Sequence, residues 1–242
     1  GGRTSRVAGV PGDAITYYAA TASGGVWKST DGGMKWKAIF DDQPVASIGA
    51  VAVAPSDPNV IYVGSGEANP RGNVAAGNGI YKSTDGGKTW KASLTISENT
   101  GVTDVVFDPR NPDVLYAASY QRRRHAWTLI DGGPECTIHK STDGGASWQK
   151  IESGLPAGQM GRIGLAIAPS IPDVLYAHVE AANKKGGIFR STDRGTTWEK
   201  RNGYETTMMY YATIYTDPKN ADRIYVMNFN IMVSDDAGTT LK

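Results

Sequence analysis

The sequence predicts an all-β chain, a β-propeller of four-stranded antiparallel blades, and three observations carry that prediction. One octapeptide occurs five times: Ser29-Thr-Asp-Gly-Gly-Met-Lys-Trp36, Ser83-Thr-Asp-Gly-Gly-Lys-Thr-Trp90, Ser141-Thr-Asp-Gly-Gly-Ala-Ser-Trp148, Ser191-Thr-Asp-Arg-Gly-Thr-Thr-Trp198 and Ser234-Asp-Asp-Ala-Gly-Thr-Thr-Leu241. A second motif precedes each copy: Val53-Ala-Pro-Ser-Asp-Pro-Asn-Val-Ile-Tyr-Val63, Phe107-Asp-Pro-Arg-Asn-Pro-Asp-Val-Leu-Tyr-Ala117, Ile167-Ala-Pro-Ser-Ile-Pro-Asp-Val-Leu-Tyr-Ala177 and Thr216-Asp-Pro-Lys-Asn-Ala-Asp-Arg-Ile-Tyr-Val226, with a degenerate form, Val10 to Tyr18, in front. Glycine fills 30 of 242 positions, which favours short strands and tight turns over helices. Units that cannot bury their own apolar faces must stack in order, so the repeat decides the architecture before any local signal does.

Within a unit, four short apolar runs alternate with turn chemistry. In the second copy they are Ile48 to Ala54, Val60 to Ser65, Gly79 to Ser83 and Thr89 to Leu94, here strands A to D. The Pro-rich segment between A and B supplies fixed φ for a tight reversal. The octapeptide lies between C and D, where Ser and Asp side chains accept hydrogen bonds from turn amides and the glycines take positive φ without a Cβ clash. Its tryptophan opens strand D and lays a large ring on the sheet. Asp31, Asp85, Asp143, Asp193 and Asp236, with Trp36, Trp90, Trp148 and Trp198, are therefore read as structural fasteners: an active site needs one constellation, not five copies in register. The expected blades are approximately 1–40, 45–95, 101–152, 160–201 and 209–242, forming one domain. A parallel β-helix is disfavoured, since its coils are shorter and lack hairpin chemistry.

Bulk composition narrows the function classes. With 25 basic and 24 acidic residues the net charge is +1, so no global field draws in nucleic acid or an acidic membrane. Cys136 is the single cysteine, which leaves no intrachain disulfide and no thiol-based zinc or redox pair. No apolar run reaches bilayer length. The chain opens on Gly1-Gly2-Arg3 and its last octapeptide breaks off at Lys242. The expectation is an extracytoplasmic protein, periplasmic or secreted, with its signal peptide removed and its blade array continuing in a longer polypeptide.

Ser-x-Asp-x-Gly-x-Thr-Trp is the Asp-box, or bacterial neuraminidase repeat, and the chain resembles bacterial proteins of the sortilin-like (VPS10-like) glycosyl-hydrolase repeat group. The stretches Ser65-Gly-Glu-Ala-Asn-Pro-Arg-Gly-Asn73 and Ser119-Tyr-Gln-Arg-Arg-Arg-His-Ala-Trp127 add to that likeness, which runs over essentially the whole chain. It implies a propeller, and an extracytoplasmic place, without implying an activity: sialidases, xyloglucanases, sortilins and non-catalytic propellers share the box. The fifth box departs from the pattern, with Asp235 for Thr and Leu241 for Trp.

Strand alternation puts every Asp box on one rim and the long B–C connections on the other, where binding residues usually reside. One such connection, Ser65 to Asn78, carries Glu67, Asn69, Arg71 and Asn73; the other, Ser119 to Thr137, carries Arg122, Arg123, Arg124, His125, Trp127, Asp131 and Glu135. The Arg forks and the aromatic face suit a carboxylate, sulfate or acidic partner, or else the loop pairs internally with Asp131 and Glu135. Glu67 opposite Asp131 would supply the two carboxylates of glycoside hydrolysis. Arg6, Arg71, Arg122 and Arg162 come from different blades and are the ingredients of a sialidase arginine triad. His125, His139 and His178 show no metal spacing. Met208-Met209-Tyr210-Tyr211 is read as the start of strand A in blade five, with a ligand or partner platform as the alternative.

Two functions follow. The first is a non-catalytic propeller that holds a protein or glycan partner, or takes a place in a larger assembly, with no cofactor, no metal and no catalytic residue. The alternative is a carbohydrate-active hydrolase, sialidase- or xyloglucanase-like, of which this chain is the front portion.

Overall fold

The computed structural model describes residues 3–69, 75–206 and 210–242, and in these the chain forms five antiparallel sheets in sequence order. Blade one holds β1 (Thr4–Val10), β2 (Asp13–Thr21), β3 (Val26–Ser29) and β4 (Lys37–Ala38). Blade two holds β5 (Ile48–Val53), β6 (Ile61–Ser65), β7 (Ile80–Ser83) and β8 (Lys91–Leu94). Blade three holds β9 (Thr100–Asp108), β10 (Asn111–His125), β11 (Thr128–Asp131), β12 (Ile138–Ser141) and β13 (Gln149–Ile151). Blade four holds β14 (Met160–Ile167), β15 (Leu175–Ala181), β16 (Gly187–Ser191) and β17 (Glu199–Asn202), and blade five β18 (Ile214–Thr216), β19 (Ile224–Val226) and β20 (Met232–Ser234). This is the all-β propeller arrangement that the repeat predicts, with one short 3₁₀ turn at Ala182–Lys184.

Two details differ from the expectation. The connection after Ser119 is not a loop: β10 runs on to His125 and returns as β11, so Arg122 faces Asp131 and His125 faces Thr128 across a hairpin. Strand A of blade five starts at Ile214, so Tyr210 and Tyr211 precede it, and Tyr211 packs on Phe229 instead. Met208 and Met209 lie outside the described residues. The fifth sheet has three strands, and Lys242 exchanges two backbone hydrogen bonds of 2.9 Å with Val233 where strand D would pair.

The core lies between blades. The B strands of blades two to four pack on both faces, and every residue of β6 is buried, because one face meets the preceding blade and the other the next. Tyr18, Val26 and Phe40 of blade one pack with Ile61, Val63, Tyr81 and Trp90 of blade two. Tyr62, Tyr116 and Tyr176 repeat that contact down the array. Burying such a side chain contributes roughly 1.5–3 kcal/mol.

Inner strands approach so closely that side chains would not fit. A Cβ on Gly64 would stand 2.3 Å from the Val102 carbonyl oxygen, and one on Gly164 would stand 1.9 Å from that of Ala212.

A second device joins the blades. Tyr62 pairs across the strands with Lys82, whose ammonium lies 5.4 Å from the ring centroid, and both donate to the Gly144 carbonyl in the next blade's octapeptide, at 2.5 and 2.7 Å. Tyr116 and Lys140 do the same to the Arg194 carbonyl, each at 2.8 Å. Lys28, opposite Tyr18, reaches the Gly86 carbonyl at 3.0 Å. In blade four Arg190, opposite Tyr176, pairs instead with Asp222 at 2.7 Å, and the tyrosine donates to the Ala221 carbonyl at 2.8 Å.

Candidate functional site

The octapeptides are closed hydrogen-bond systems. The Ser141 hydroxyl donates to Asp143 Oδ1 and accepts from the Gly145 amide, both at 2.8 Å. The same two bonds recur at Ser29, Ser83, Ser191 and Ser234. Each Asp Oδ1 also accepts the amide four residues on, at 2.8–2.9 Å. Those bonds favour the charged form: the Ser147 hydroxyl and amide bring Asp143 to about 2, and the Thr240 amide and hydroxyl bring Asp236 to about 2. Such a carboxylate carries no proton at neutral pH, and in every box but the first its second oxygen takes the hydroxyl of the residue four on. Amides at Gly86, Gly144 and Arg194 bond to carbonyls of the A–B turns, which puts boxes and A–B turns on one rim.

On the opposite rim the B–C segments of blades two and three meet. Glu67 is buried and both its oxygens take the Arg3 guanidinium, with Nε–Oε1 at 2.8 Å. Arg122 Nη1 donates to the Glu67 backbone carbonyl at 3.2 Å, and Arg162 Nη1 to Asn69 Oδ1 at 2.9 Å. Arg6 pairs with Asp104 at 3.4 Å. Burial lowers Arg122 and Arg162 to about 10. Arg71 and Asn73 lie outside the described residues.

The structure therefore does not set Glu67 against Asp131. Arg3 occupies Glu67, and the carboxylates that border Asp131's cleft are Glu180 and Glu205. That cleft, about 230 Å³, is lined by Asp131, Gly132, Gly133, Gln159, Met160, Gly161, Glu180 and Glu205 of blades three and four. Desolvation raises the Asp131 carboxyl above its usual value. Desolvation also raises Glu180, with repulsion from Asp131 and Glu205 adding to it and the Arg162 amide, 2.9 Å away, opposing it. Glu135 sits apart, held low by the hydroxyls of Ser97 and Thr100.

The hairpin that ends at Asp131 carries Arg123, Arg124 and His125, all exposed. Trp127 at its tip is 82% exposed and stacks on His125, with ring centroids 5.2 Å apart and planes 7° from parallel. His139 and His178 are buried, and desolvation lowers each to about 4. Cys136 is buried, its thiol pushed up to about 12. Among the described residues no group of three His, Cys, Asp or Glu could hold a metal ion, and no helix is long and apolar enough to cross a membrane.

Sequence reasoning missed Arg3, Glu180 and Glu205. Glu180 had one available signal: it lies in the last two residues of a B strand, as Asp131 ends the hairpin, at the same rim.

A family model described as "Sortilin, neurotensin receptor 3" matches residues 24–175. The chain belongs to the Sortilin-Vps10 family. A second model, the BNR/Asp-box repeat, matches residues 189–200 of this sortilin-family chain. Among curated proteins it is similar to a xyloglucanase of Acetivibrio thermocellus, 24% identical over 90% of this chain and 28% of that protein. A xyloglucanase of a Paenibacillus species is 29% identical over 87% of this chain and 22% of that one. The chain thus spans about a quarter of the length of these relatives. Among solved structures, an ancestral GH74 enzyme superposes with a TM-score of 0.74 at 24% identity, covering 96% of this chain and 29% of that one. The GH74 enzyme of Niastella koreensis gives 0.71 at 23% identity, covering 96% and 36%. At these identities the structural likeness speaks for the fold.

Proposed function

We propose that the chain is the glycan-recognising part of a carbohydrate-active, extracytoplasmic protein, with the cleft between blades three and four as the place where a sugar chain meets a pair of carboxyls. One observation carries the reading: Asp131 and Glu180 border the same open cleft, and both hold their protons more tightly than ordinary carboxyls. Glycoside hydrolysis needs such a group as proton donor beside an ionised partner. Burial raises both carboxyls here, and repulsion from Asp131 and Glu205 raises Glu180 further. The exposed Trp127 face supplies an apolar platform for a sugar ring. The xyloglucanase relatives support carbohydrate as the substrate class, and fold likeness alone would not.

A second reading, binding without cleavage, draws on the engagement of Glu67, Asn69 and Arg122 in holding the B–C segments together. Release of reducing sugar from xyloglucan, mixed-linkage β-glucan and aryl glycosides separates the two. Hydrolysis that falls at least a hundredfold in Glu180→Gln or Asp131→Asn supports the first reading. Binding without turnover selects the second, and neither binding nor turnover removes carbohydrate from consideration.

A further inference from the structure

Between the B–C segment of blade two and strand β10 of blade three lies a small cavity of about 10 Å³, bordered by Gly66, Glu67, Gly77, Gly101, Tyr120 and Arg122 among others. Its glycine walls are bare backbone. A Cβ on Gly66 would stand 2.8 Å from the Gly77 amide nitrogen, and one on Gly77 or Gly101 would stand 2.3 or 2.2 Å from the Ser65 carbonyl oxygen. The space that remains is about that of one water molecule.

Two buried side chains bring donors to this cavity. Arg122 is 4% exposed and Tyr120 3%. Arg122 Nη1 donates to the Glu67 carbonyl, but among the described residues nothing accepts from its Nε, from its Nη2 or from the Tyr120 hydroxyl. A buried donor without an acceptor is costly, and an ion or an ordered water is its usual resolution. Charge favours the ion. The Arg122 guanidinium stands with Arg3 and Arg124 around Glu67, and both oxygens of that carboxylate already take Arg3. We propose that this cavity binds one monatomic anion, a halide such as chloride, held by Arg122 Nε and Nη2 and by the Tyr120 hydroxyl. A carboxylate or sulfate, which the arginine-rich run suggests in sequence, is too large for it. The ion balances a guanidinium cluster where Arg3, the blade-two B–C segment and the root of the β10–β11 hairpin join, so it acts on stability. The inference stands apart from the carbohydrate reading, because none of the three donors lines the Asp131–Glu180 cleft.

Thermal unfolding across a chloride series, with gluconate holding the ionic strength constant, reads the site. The Tm of the wild type is expected to rise by about 2–4 °C and then to level off, as a single saturable site requires. Arg122→Gln should remove the rise. Tyr120→Phe, which keeps the ring and loses one donor, should raise the half-saturating chloride concentration by about threefold or more. Crystals of the wild type grown in bromide give a readout that depends on no variant: an anomalous peak within hydrogen-bonding reach of Arg122 Nε and Nη2. A water at that position in the bromide crystal would overturn the proposal, and so would a wild-type Tm indifferent to chloride. A bromide peak beside a chloride-independent Tm would mean binding at crystal concentration only, which also overturns it. A rise of the same size and midpoint in either variant would do the same.

Discussion

Lys82 lies over the ring of Tyr62, and the two side chains converge on one acceptor, the Gly144 carbonyl of the following blade. The tyrosine is buried and the lysine covers it, so the pair is both a cation–π contact and a two-donor clamp. Tyr62→Phe should cost about 1–3 kcal/mol, because a buried carbonyl loses its best donor. A double-mutant cycle with Lys82→Met in urea unfolding should return a coupling of ~0.5–1 kcal/mol. Additive single costs would mean that the two donors act separately.

Removal of one hydroxyl should open an octapeptide. Ser141 is buried and joins the Asp143 carboxylate to the Gly145 amide. Ser141→Ala leaves that amide unpaired and should cost roughly 1–3 kcal/mol, with Ser141→Thr intermediate. Chemical unfolding checks it, and loss of amide-exchange protection at Gly145 localises it.

The box tryptophans should not be equivalent. Trp198 is 5% exposed within the core between blades three and four, so Trp198→Ala should cost about 3–5 kcal/mol. Trp36, at 39% exposed on the open face, should cost under about 1 kcal/mol. Equal losses would mean that the tryptophan acts within its own hairpin and not between blades.

Acid should weaken the fold through its histidines. His139 and His178 titrate near 4 when folded, against 6.5 in the unfolded chain. Between those values the unfolded state holds more protons. Their contribution is complete above pH 6.5 and is lost as pH falls toward 4. His139→Gln should flatten the fall in Tm across that window. Asp131 and Glu180 act in the opposite sense: with raised folded values, their contribution is complete below 3.8 and 4.5, and is lost as pH rises through the folded values. Glu180→Gln should therefore raise Tm at pH 7, by an amount that partial solvent exposure keeps modest.

The repeat chemistry made the fold legible. Ser-x-Asp-x-Gly marks a hairpin by local hydrogen bonding alone, and the recurring Ile-Tyr and Leu-Tyr pairs mark a B strand buried on both faces. The cations of the Tyr–cation pairs were visible as letters, Lys82 in Ile80-Tyr-Lys-Ser83 and Lys140 in Ile138-His-Lys-Ser141, but their meaning depends on cross-strand register with Tyr62 and Tyr116. The site was less legible because its members meet only when blades stack. Arg3 and Glu67 are 64 residues apart, and Arg162 and Asn69 are 93 apart. Ser119 to Thr137 read as a loop because its Arg-rich run lacks the apolar alternation of a buried strand; a hairpin standing clear of the core needs none.

On the proposed reading, the Asp131–Glu180 cleft recognises a glycan. Isothermal titration of xyloglucan oligosaccharides into the wild-type protein and into Glu180→Gln and Trp127→Ala tests it most directly. Saturable binding by wild type is expected, weakened at least tenfold in both variants while both still melt cooperatively and no lower than wild type. Binding that is absent in wild type, or unchanged in both variants, would contradict it.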